Sequence, residues 1–381
     1  MKTVGVFGST GSVGENTLKI CEHLANRFRV HTLAVGKNLD RAAAQALAFR
    51  PKTMVLGDPL DVRGLKERLG AAAASFTILA GPQGLEEAAS APDLDIVVSA
   101  ITGAQGLPVS LGAVRTGKRL ALANKESMVM AGPILNEMAH RHGAEIIPVD
   151  SEHSALYQCL LTGKREDAKK LILTASGGPF RTKPKSEFKD VTLEQALKHP
   201  TWTMGPKITI DSATMMNKAL EIVEARWLFD LTHDRIDVVV HPQSIVHSMV
   251  LWRDGSVLAQ MGKPDMRIPI QYAMTFPERA DGSVDTYTPE IFNGLNFFAP
   301  DIDKFPSIRM GFLAAERQGT YGAVLNAANE KAVELFMAKQ IGFQDIFDRV
   351  GAVIERHHPV AAPTLEDVLA ADAWAREEAA R

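Results

Sequence analysis

The chain has 381 residues and a formal net charge of −3 at pH 7, and 46% of its residues are hydrophobic. This length predicts two or three globular domains, and the charge argues against nucleic acid or an anionic membrane surface as the main partner. No apolar run approaches the roughly 20 residues of a membrane helix, and no leader precedes the first predicted strand. Two cysteines are too few for a disulfide framework or a zinc site, so we expect a cytoplasmic protein.

Residues 1–149 alternate short β-rich runs with Ala-rich helical stretches. The runs are apolar throughout, which is typical of a parallel sheet covered by helices on both faces. Strands are predicted at 4–7, 30–35, 53–56, 96–99, 120–123 and 146–149. The fold class is therefore α/β, with an N-terminal Rossmann-like doubly wound sheet that binds ligands at the carboxyl ends of its strands.

The rest of the chain predicts a central α+β domain over 150–276, a linker over 277–305 and a C-terminal helical domain over 306–381. In the central domain, strand-like runs at 244–251 and 256–261 flank Asp254-Gly255, a strong hairpin signal. The hairpin would leave an exposed edge in a monomer, and this predicts a homodimer paired across a two-fold axis.

A glycine-rich turn over residues 8–14 follows the first strand with the spacing G-x-x-G-x-x-G. Glycine lets the backbone approach a pyrophosphate, and the following helix N-terminus supplies N–H donors, although such a turn can also bind nothing. After the second strand, Gly36-Lys37-Asn38 lacks the acid that binds the ribose hydroxyls of NAD. Lys37 suits the 2′-phosphate of NADPH, and an exposed turn lysine explains it equally well.

Asp150 and Glu152 directly follow an apolar run, where an extended chain would point both carboxylates the same way. Farther along, Asn217, Lys218 and Glu221 share one face of a helix that is predicted to start at Asp211 or Ser212. Three carboxylates would form an all-oxygen site for Mg²⁺ or Mn²⁺. A solvated loop and a surface Lys–Glu pair are the plainer alternatives.

Two further segments carry candidate chemistry. Ser176-Gly177-Gly178-Pro179 closes a predicted strand with a hydroxyl and flexible backbone, which suits an oxyanion. The Pro- and Gly-punctuated segment 199–206 carries an indole that either packs down or closes over a ligand, and we favour a lid formed by His199, Trp202 and Met204.

These blocks together resemble the 1-deoxy-D-xylulose 5-phosphate reductoisomerase family over almost the whole chain. The matching blocks are GSTGSVG (8–14), LANKES (122–127), PVDSEH (148–153), SGGPF (176–180), HPTWTMG (199–205), DSATMMNKALE (211–221), HPQSIVHS (241–248) and LNAANE (325–330). Departures from the family pattern are mild: Val13, Met128, Ser154 and Ala219 stand where Ile, Leu, Asn and Gly are expected.

The resemblance implies an enzyme that converts 1-deoxy-D-xylulose 5-phosphate to 2-C-methyl-D-erythritol 4-phosphate with NADPH and Mg²⁺ or Mn²⁺, in the non-mevalonate isoprenoid route. It implies cofactor contacts for Thr10, Gly11, Ser12, Val13, Gly36, Lys37, Asn38, Asn124, Glu126 and Gly205. It implies metal ligation by Asp150, Glu152 and Glu221, which with Lys125 are the catalytic residues. It implies contacts to a small phosphorylated sugar for Lys125, Ser151, Glu152, Ser176, His199, Ser212, Asn217, Lys218 and Glu221.

In this scheme the metal polarises the substrate ketone and Lys125 stabilises oxyanion charge or relays a proton. The carbon skeleton rearranges by retro-aldol cleavage and re-addition or by a direct shift, and the sequence leaves both open. Two other functions compete: a metal-free NADP-dependent dehydrogenase of another small phosphorylated aldehyde, and a nucleotide-sensing protein without turnover. Neither explains three carboxylates.

Overall fold

The computed structural model describes residues 1–284 and 288–381, and the chain within it divides into two compact units. The first unit contains 1–127, 135–154 and the described residues of 265–285, and the second contains 128–134, 155–264 and the described residues of 286–381. Residues 265–276, expected with the central domain, belong to the first unit. The predicted linker over 277–305 includes residues 285–287, which lie outside the described residues. The predicted domain boundaries stay a prediction.

A seven-stranded parallel sheet forms the centre of the first unit, and it confirms the predicted Rossmann-like class. In chain order its strands are β1 Lys2–Phe7, β2 Phe28–Val35, β3 Thr53–Leu56, β4 Thr77–Ala80, β5 Ile96–Ser99, β6 Arg119–Leu122 and β7 Glu145–Pro148. Their spatial order is β4-β3-β2-β1-β5-β6-β7. The order in which successive strands are added to the sheet therefore reverses between β1 and β5. That reversal is where ligands bind in doubly wound sheets.

One strand of this sheet, β4, is missing from the sequence prediction. It is an edge strand whose residues are only partly buried, and it follows an Ala-rich stretch with helical character. This strand has only four residues and closely follows an Ala-rich helical stretch, so its short apolar run did not stand out as a separate element.

Helices cover the sheet, and most of them connect successive strands. They are α1 Ser12–His23, α2 Leu39–Phe49, α3 Asp61–Leu69, α4 Gly81–Ala89, α5 Leu107–Arg115 and α6 Lys125–His142. The backbone of α6 leaves the helical conformation at Ala131 (φ −131°, ψ 26°), two residues before Pro133. Proline cannot complete the helical hydrogen-bond ladder, and this explains the break.

The second unit contains a four-stranded mixed sheet in the order β11-β10-β8-β9. The strands are β8 Ala168–Ala175, β9 Ile236–Val240, β10 Val246–Trp252 and β11 Val257–Met261. Antiparallel pairing of β10 with β11 confirms the predicted hairpin at Asp254-Gly255, where Gly255 has a φ of +90°. β11 is one of the two edge strands, and most of its side chains are exposed.

The remaining helices build the core of the second unit, except that α7 begins in the first unit and α11 belongs to it. They are α7 Ser151–Leu160, α8 Leu193–Ala196, α9 Pro206–Ala213, α10 Met216–Leu228, α11 Arg267–Thr275, α12 Ser307–Arg317, α13 Tyr321–Met337, α14 Phe343–Arg356 and α15 Leu365–Ala380. One hydrophobic cluster joins α10, α12, α13 and α14 to the sheet, with Phe188 edge-on to Phe343 at 5.3 Å. Among the described residues, no helix is long and apolar enough to cross a membrane.

Candidate active site

The glycine-rich turn of the first unit lies between β1 and α1. The N–H groups of Gly8 and Ser9 both donate to the Ala34 carbonyl of β2 at 2.9 Å, which fixes the turn at the carboxyl edge of the sheet. A Cβ on Gly8 would lie 2.5 Å from the Ala100 carbonyl oxygen beyond β5, so only glycine fits this close approach. Gly11 is the N-cap of α1 and brings no side chain, so the helix start presents backbone N–H groups, as an anion site requires.

The end of β2 carries the predicted 2′-phosphate site. Gly36, Lys37 and Asn38 are all exposed there, and the Asn38 side chain caps α2 by accepting the Arg41 N–H at 3.1 Å. Arg41 is a second cation that the sequence analysis missed. Its position four residues after Lys37, in the segment that follows β2, was the available signal, and it forms an ion pair with Glu15.

Asn124 follows β6 and ties together two strand ends. Its Nδ2 donates to the carbonyls of Ile101 at 2.7 Å and Gly103 at 2.9 Å, and to Glu126 at 3.0 Å. Its Oδ1 accepts the Ser127 N–H and so caps α6. Asn124 thus has a clear structural role, and its cofactor contact stays a prediction.

Lys125 forms a buried ion pair with Asp150, which follows β7. Burial alone would raise the pKa of Asp150, but the Lys125 ammonium and the hydrogen bond from His153 outweigh it and hold the pKa well below its usual range. Asp150 is therefore a carboxylate near neutral pH. Ser151 donates to Glu152 at 2.6 Å, so a hydroxyl and two carboxylates follow this strand.

The local backbone at Asp150 differs from the prediction. Residues 150–152 were expected to be extended, but α7 begins at Ser151 and the Asp150 carbonyl accepts the Ser154 N–H at 2.8 Å. Asp150 stands at the helix start and Glu152 in its first turn, so the alternation argument for their facing the same way was wrong. Acidic residues at a helix N-terminus are favoured by the macrodipole, a signal the sequence did contain.

In the second unit, Ser176 directly follows β8 and contacts the segment predicted to be a lid. His199 Nε2 lies 3.0 Å from Ser176 Oγ, and His199 Nδ1 accepts the N–H groups of Thr201 at 3.1 Å and Trp202 at 2.9 Å. Since Nδ1 accepts twice, the proton of the neutral ring lies on Nε2 and donates to Ser176. Burial lowers the pKa of His199 to about 4, so this ring is neutral at physiological pH.

The other two predicted lid residues are half-buried. The Trp202 ring lies 6.3 Å from the His247 ring, and Met204 precedes Gly205, the N-cap of α9. The segment thus packs onto the end of β10 in this structure. Whether it closes over a ligand stays a prediction.

The second half of the candidate site lies on α10. Lys218 pairs with Glu221 and donates to the Thr174 carbonyl, while Asn217 also donates to Glu221. Both members of the ion pair are buried, which confirms the shared helix face and excludes an ordinary surface pair.

The predicted start of this helix at Asp211 or Ser212 was wrong. Those residues lie in the last turn of α9, and α10 begins only at Met216, after Met215 with a φ of +57°. The positive φ breaks one apparent helix into two, and single-residue propensity does not reveal it.

Gly178 explains how Ser176 and Ser212 come together. Its φ is +65°, and a Cβ placed on it would clash with the Ser212 carbonyl. The Ser176 turn therefore packs directly on the backbone that carries Ser212. Within the second unit, Lys218 contacts the Thr174 carbonyl two residues before Ser176, so the contacts link α10 to the strand that leads to this turn.

Comparison with known proteins identifies the family. Three family models match the chain: 1-deoxy-D-xylulose 5-phosphate reductoisomerase over 4–132, its C-terminal domain over 146–229, and the DXP reductoisomerase C-terminal domain over 261–378. A protein of Burkholderia lata, named 1-deoxy-D-xylulose 5-phosphate reductoisomerase, is 48% identical over 381 residues, covering 100% of this chain and 96% of that protein. This chain belongs to the 1-deoxy-D-xylulose 5-phosphate reductoisomerase family.

Other members of the reductoisomerase family agree. The Pelotomaculum thermopropionicum protein of that name is 48% identical over 378 residues, which are 99% of this chain and 97% of its own. A crystal structure of DOX-P reductoisomerase in complex with NADPH, fosmidomycin and magnesium matches with a TM-score of 0.95 at 40% identity, covering 100% of this chain and 98% of the other. The Zymomonas mobilis enzyme in complex with NADPH matches with a TM-score of 0.91 at 41% identity, covering 100% and 97%. The resemblance inferred from sequence is thereby confirmed.

Proposed function

We propose that this protein converts 1-deoxy-D-xylulose 5-phosphate to 2-C-methyl-D-erythritol 4-phosphate with NADPH and a divalent metal ion. The observation that carries the proposal is family membership over the whole chain, at 48% identity. The product belongs to the non-mevalonate route to isoprenoids, as the resemblance implies.

We assign the metal to Asp150 and Glu152 of the first unit and Glu221 of the second. The donor chemistry fits, because three carboxylates offer the hard oxygen ligands that Mg²⁺ and Mn²⁺ prefer. Asp150 and Glu221 each pair with a buried lysine in this structure, so each already lies in an environment that balances its charge with a cation.

The NADPH pyrophosphate is assigned to the turn over 8–14. Thr10, Gly11, Ser12 and Val13 are half-buried or exposed at the start of α1, where N–H groups and the helix dipole favour a phosphate. Lys37 is assigned to the 2′-phosphate, with Arg41 in the first turn of the following helix α2 as an additional cation. The remaining proposed contacts are Gly36, Asn38, Asn124, Glu126 and Gly205.

The substrate phosphate is assigned to Ser176, Ser212, Asn217 and Lys218. Ser176 Oγ accepts from His199 and from the Gly178 N–H at 3.2 Å, so its own proton can be donated to a phosphate oxygen. Lys218 supplies the matching positive charge. Binding energy from this end of the substrate would position the reacting end.

The reacting end is assigned to Lys125, Ser151 and Glu152. When bound, the divalent ion supplies carbonyl polarisation and NADPH supplies the hydride. The Lys125 ammonium would stabilise negative charge on a substrate oxygen or deliver a proton to it, and its ion pair with Asp150 fixes its position. His199 and Trp202 would shield the site from water.

We also propose a homodimer formed along β11. Val257, Leu258 and Met261 are exposed apolar side chains on this edge strand. An unpaired edge with apolar side chains favours pairing with a second copy, and the two-fold arrangement is the usual one.

A cytoplasmic location is the remaining part of the proposal. Cys21 and Cys159 are both buried free thiols, and burial raises the pKa of Cys21 to about 12 and that of Cys159 to about 11. Unpaired thiols with this low reactivity suit a reducing compartment.

The test is NADPH oxidation, followed by absorbance, in the presence of 1-deoxy-D-xylulose 5-phosphate. We expect turnover with Mg²⁺ or Mn²⁺, loss of turnover on chelation with EDTA, and recovery when the ion is restored in excess. Turnover that is indifferent to EDTA would favour a metal-free dehydrogenase. NADPH binding without oxidation under any of these conditions would favour a nucleotide-sensing protein.

A further inference from the structure

A buried hydrogen bond joins α13 to α9 within the second unit. Asn329 Nδ2 donates to Asp211 Oδ1 at 2.8 Å, and Lys207 Nζ lies 2.9 Å from Asp211 Oδ2. Asp211 is 1% exposed and Asn329 is 0% exposed. Each oxygen of a buried carboxylate thus has a donor, one from its own helix and one from the C-terminal helices.

This arrangement does not favour α9 itself. Lys207 stands in the first turn of the helix and Asp211 in its last, which is the opposite of what the macrodipole favours. The order of lysine before acid is also the weaker one for a pair four residues apart. A buried carboxylate loses its hydration as well, so the stability of α9 does not explain Asp211.

The residues that follow Asp211 in the chain explain why this buried carboxylate is held from two sides. Ser212 follows directly, and its carbonyl is the backbone on which the Gly178 turn packs. The Ser307 hydroxyl of α12 donates to the Thr214 carbonyl at 2.9 Å. Helices α12 and α13 therefore hold the short stretch that presents Ser212.

The helix that carries Asn329 is itself fixed. Glu330 accepts from Asn326 Nδ2 at 2.9 Å and from Arg376 of α15 at 2.7 Å. Arg376 also pairs with Asp372 at 2.7 Å. Since Asn326 and Glu330 both lie on α13, the contact with Arg376 is the one that ties this helix to α15, and the donor that reaches Asp211 comes from a helix held by α15.

We propose that Asn329 is a positioning residue for substrate binding, acting through Asp211 on the orientation of Ser212. Lys207 binds the same carboxylate and lies just after the segment 199–205, so the C-terminal helices set the position of the phosphate-binding turn and of the chain that follows the lid. This rests on the proposed function, because it requires Ser212 to bind the substrate phosphate.

The experiment compares Asn329→Ala with Asn326→Ala in the full-length protein. Both asparagines are fully buried on α13. Within the described residues the Asn329 side chain hydrogen-bonds to α9, whereas the Asn326 side chain hydrogen-bonds to Glu330 of its own helix, so Asn326→Ala is the matched control for general loosening. We expect Asn329→Ala to raise KM for 1-deoxy-D-xylulose 5-phosphate on the order of tenfold, since small misplacement of a binding group is costly. The value of kcat, KM for NADPH, and kcat/KM for the same sugar without its phosphate should stay near wild type.

A swapped pair, Asp211→Asn with Asn329→Asp, keeps one carboxylate and one amide in contact. Each single substitution should raise KM for the substrate, and the double variant should bring KM most of the way back to the wild-type value. Recovery would support the hydrogen bond as the cause, and its absence together with normal folding would overturn it.

Ser212→Ala distinguishes failure of the positioning role from failure of the phosphate assignment and of the proposed function. Wild-type protein without turnover would overturn the proposed function. Turnover with KM unaffected by Ser212→Ala would overturn the phosphate assignment. If Ser212→Ala raises KM while Asn329→Ala does not, or if Asn326→Ala raises it equally, the positioning role is wrong and the function stands.

Discussion

Lys218 and Glu221 form an ion pair on α10 in which their side chains are 3% and 0% exposed. Removing one partner from a buried pair leaves an uncompensated charge, whereas the pair itself contributes little net stability. The proposed metal ligand Glu221 and the proposed phosphate ligand Lys218 are thus in direct contact in this structure. This is the relationship on which the proposed metal and phosphate sites depend.

The first prediction concerns Lys218→Met. Without a divalent ion, Glu221 would stay buried and lose its ion pair with the Lys218 ammonium, and we expect the free energy of unfolding in EDTA to fall by about 3–5 kcal/mol. Added Mg²⁺ should restore part of the loss, because the ion would then balance Glu221. Urea unfolding with EDTA and with Mg²⁺ measures both effects.

The matched control for this prediction is Lys331→Met. Lys331 pairs with Glu334 at the same three-residue spacing, but Lys331 is only partly buried and Glu334 is exposed. Such pairs contribute roughly 0.2–1 kcal/mol, and Mg²⁺ should not change the result. An equal loss in both variants, or no response of Lys218→Met to Mg²⁺, would contradict the prediction.

A second prediction concerns cofactor choice. Lys37→Ala should raise KM for NADPH, by about 1–3 kcal/mol in binding free energy for one charged contact, and leave KM for NADH nearly unchanged. Steady-state rates with both cofactors measure it, and Lys66→Ala, an exposed lysine on α3, is the control. Equal use of NADH and NADPH by the wild-type protein would count against the 2′-phosphate assignment.

The sequence predicted the central strands of the first sheet and the hairpin of the second because buried runs and a turn dipeptide are local signals. It missed β4, a partly exposed edge strand whose identity depends on its neighbour. It placed an extended chain at Asp150, although an acid followed by Ser and Glu is equally a helix start.

The candidate site was predicted less evenly. The shared face of Lys218 and Glu221 follows from helical spacing, so it was predictable. The break at Met215 and the contact of Asn329 with Asp211, 118 residues away in sequence, depend on tertiary packing, which no local pattern records.

A third prediction follows from the burial of His199. The pKa of this ring is about 4 in the folded protein and about 6.5 in an unfolded chain, so the unfolded chain binds more protons between these values. The contribution of His199 to the free energy of unfolding is therefore complete above pH 6.5 and is lost as pH falls toward 4. Urea midpoints across this range should fall less steeply for His199→Gln than for wild type.

Exposed His142 provides the control for the pH dependence. His142→Gln should keep the wild-type slope. If His199→Gln also keeps it, the neutral buried ring is not what makes the protein sensitive to acid.

A fourth prediction tests the assembly. Leu258 is 39% exposed on the edge strand β11, and Leu258→Lys should convert the dimer to a monomer, since charged side chains on an edge prevent strand pairing. Leu369 is an exposed residue of α15, and Leu369→Lys should leave the molecular mass in solution unchanged. Light scattering at micromolar protein measures both, and a monomeric wild type would refute the dimer.

The most direct measurement of the central claim is Mn²⁺ binding, followed by electron paramagnetic resonance, to wild type and to Asp150→Asn, Glu152→Gln and Glu221→Gln. If the three carboxylates share an ion, wild type should bind a single Mn²⁺ and each variant should lose more than about tenfold in affinity, at least as much as loss of an outer hydrogen-bond partner. NADPH binding, measured by fluorescence, should persist in every variant, and Glu334→Gln should bind Mn²⁺ like wild type. The shared site would be contradicted if Glu221→Gln kept the wild-type Mn²⁺ affinity while Asp150→Asn lost it.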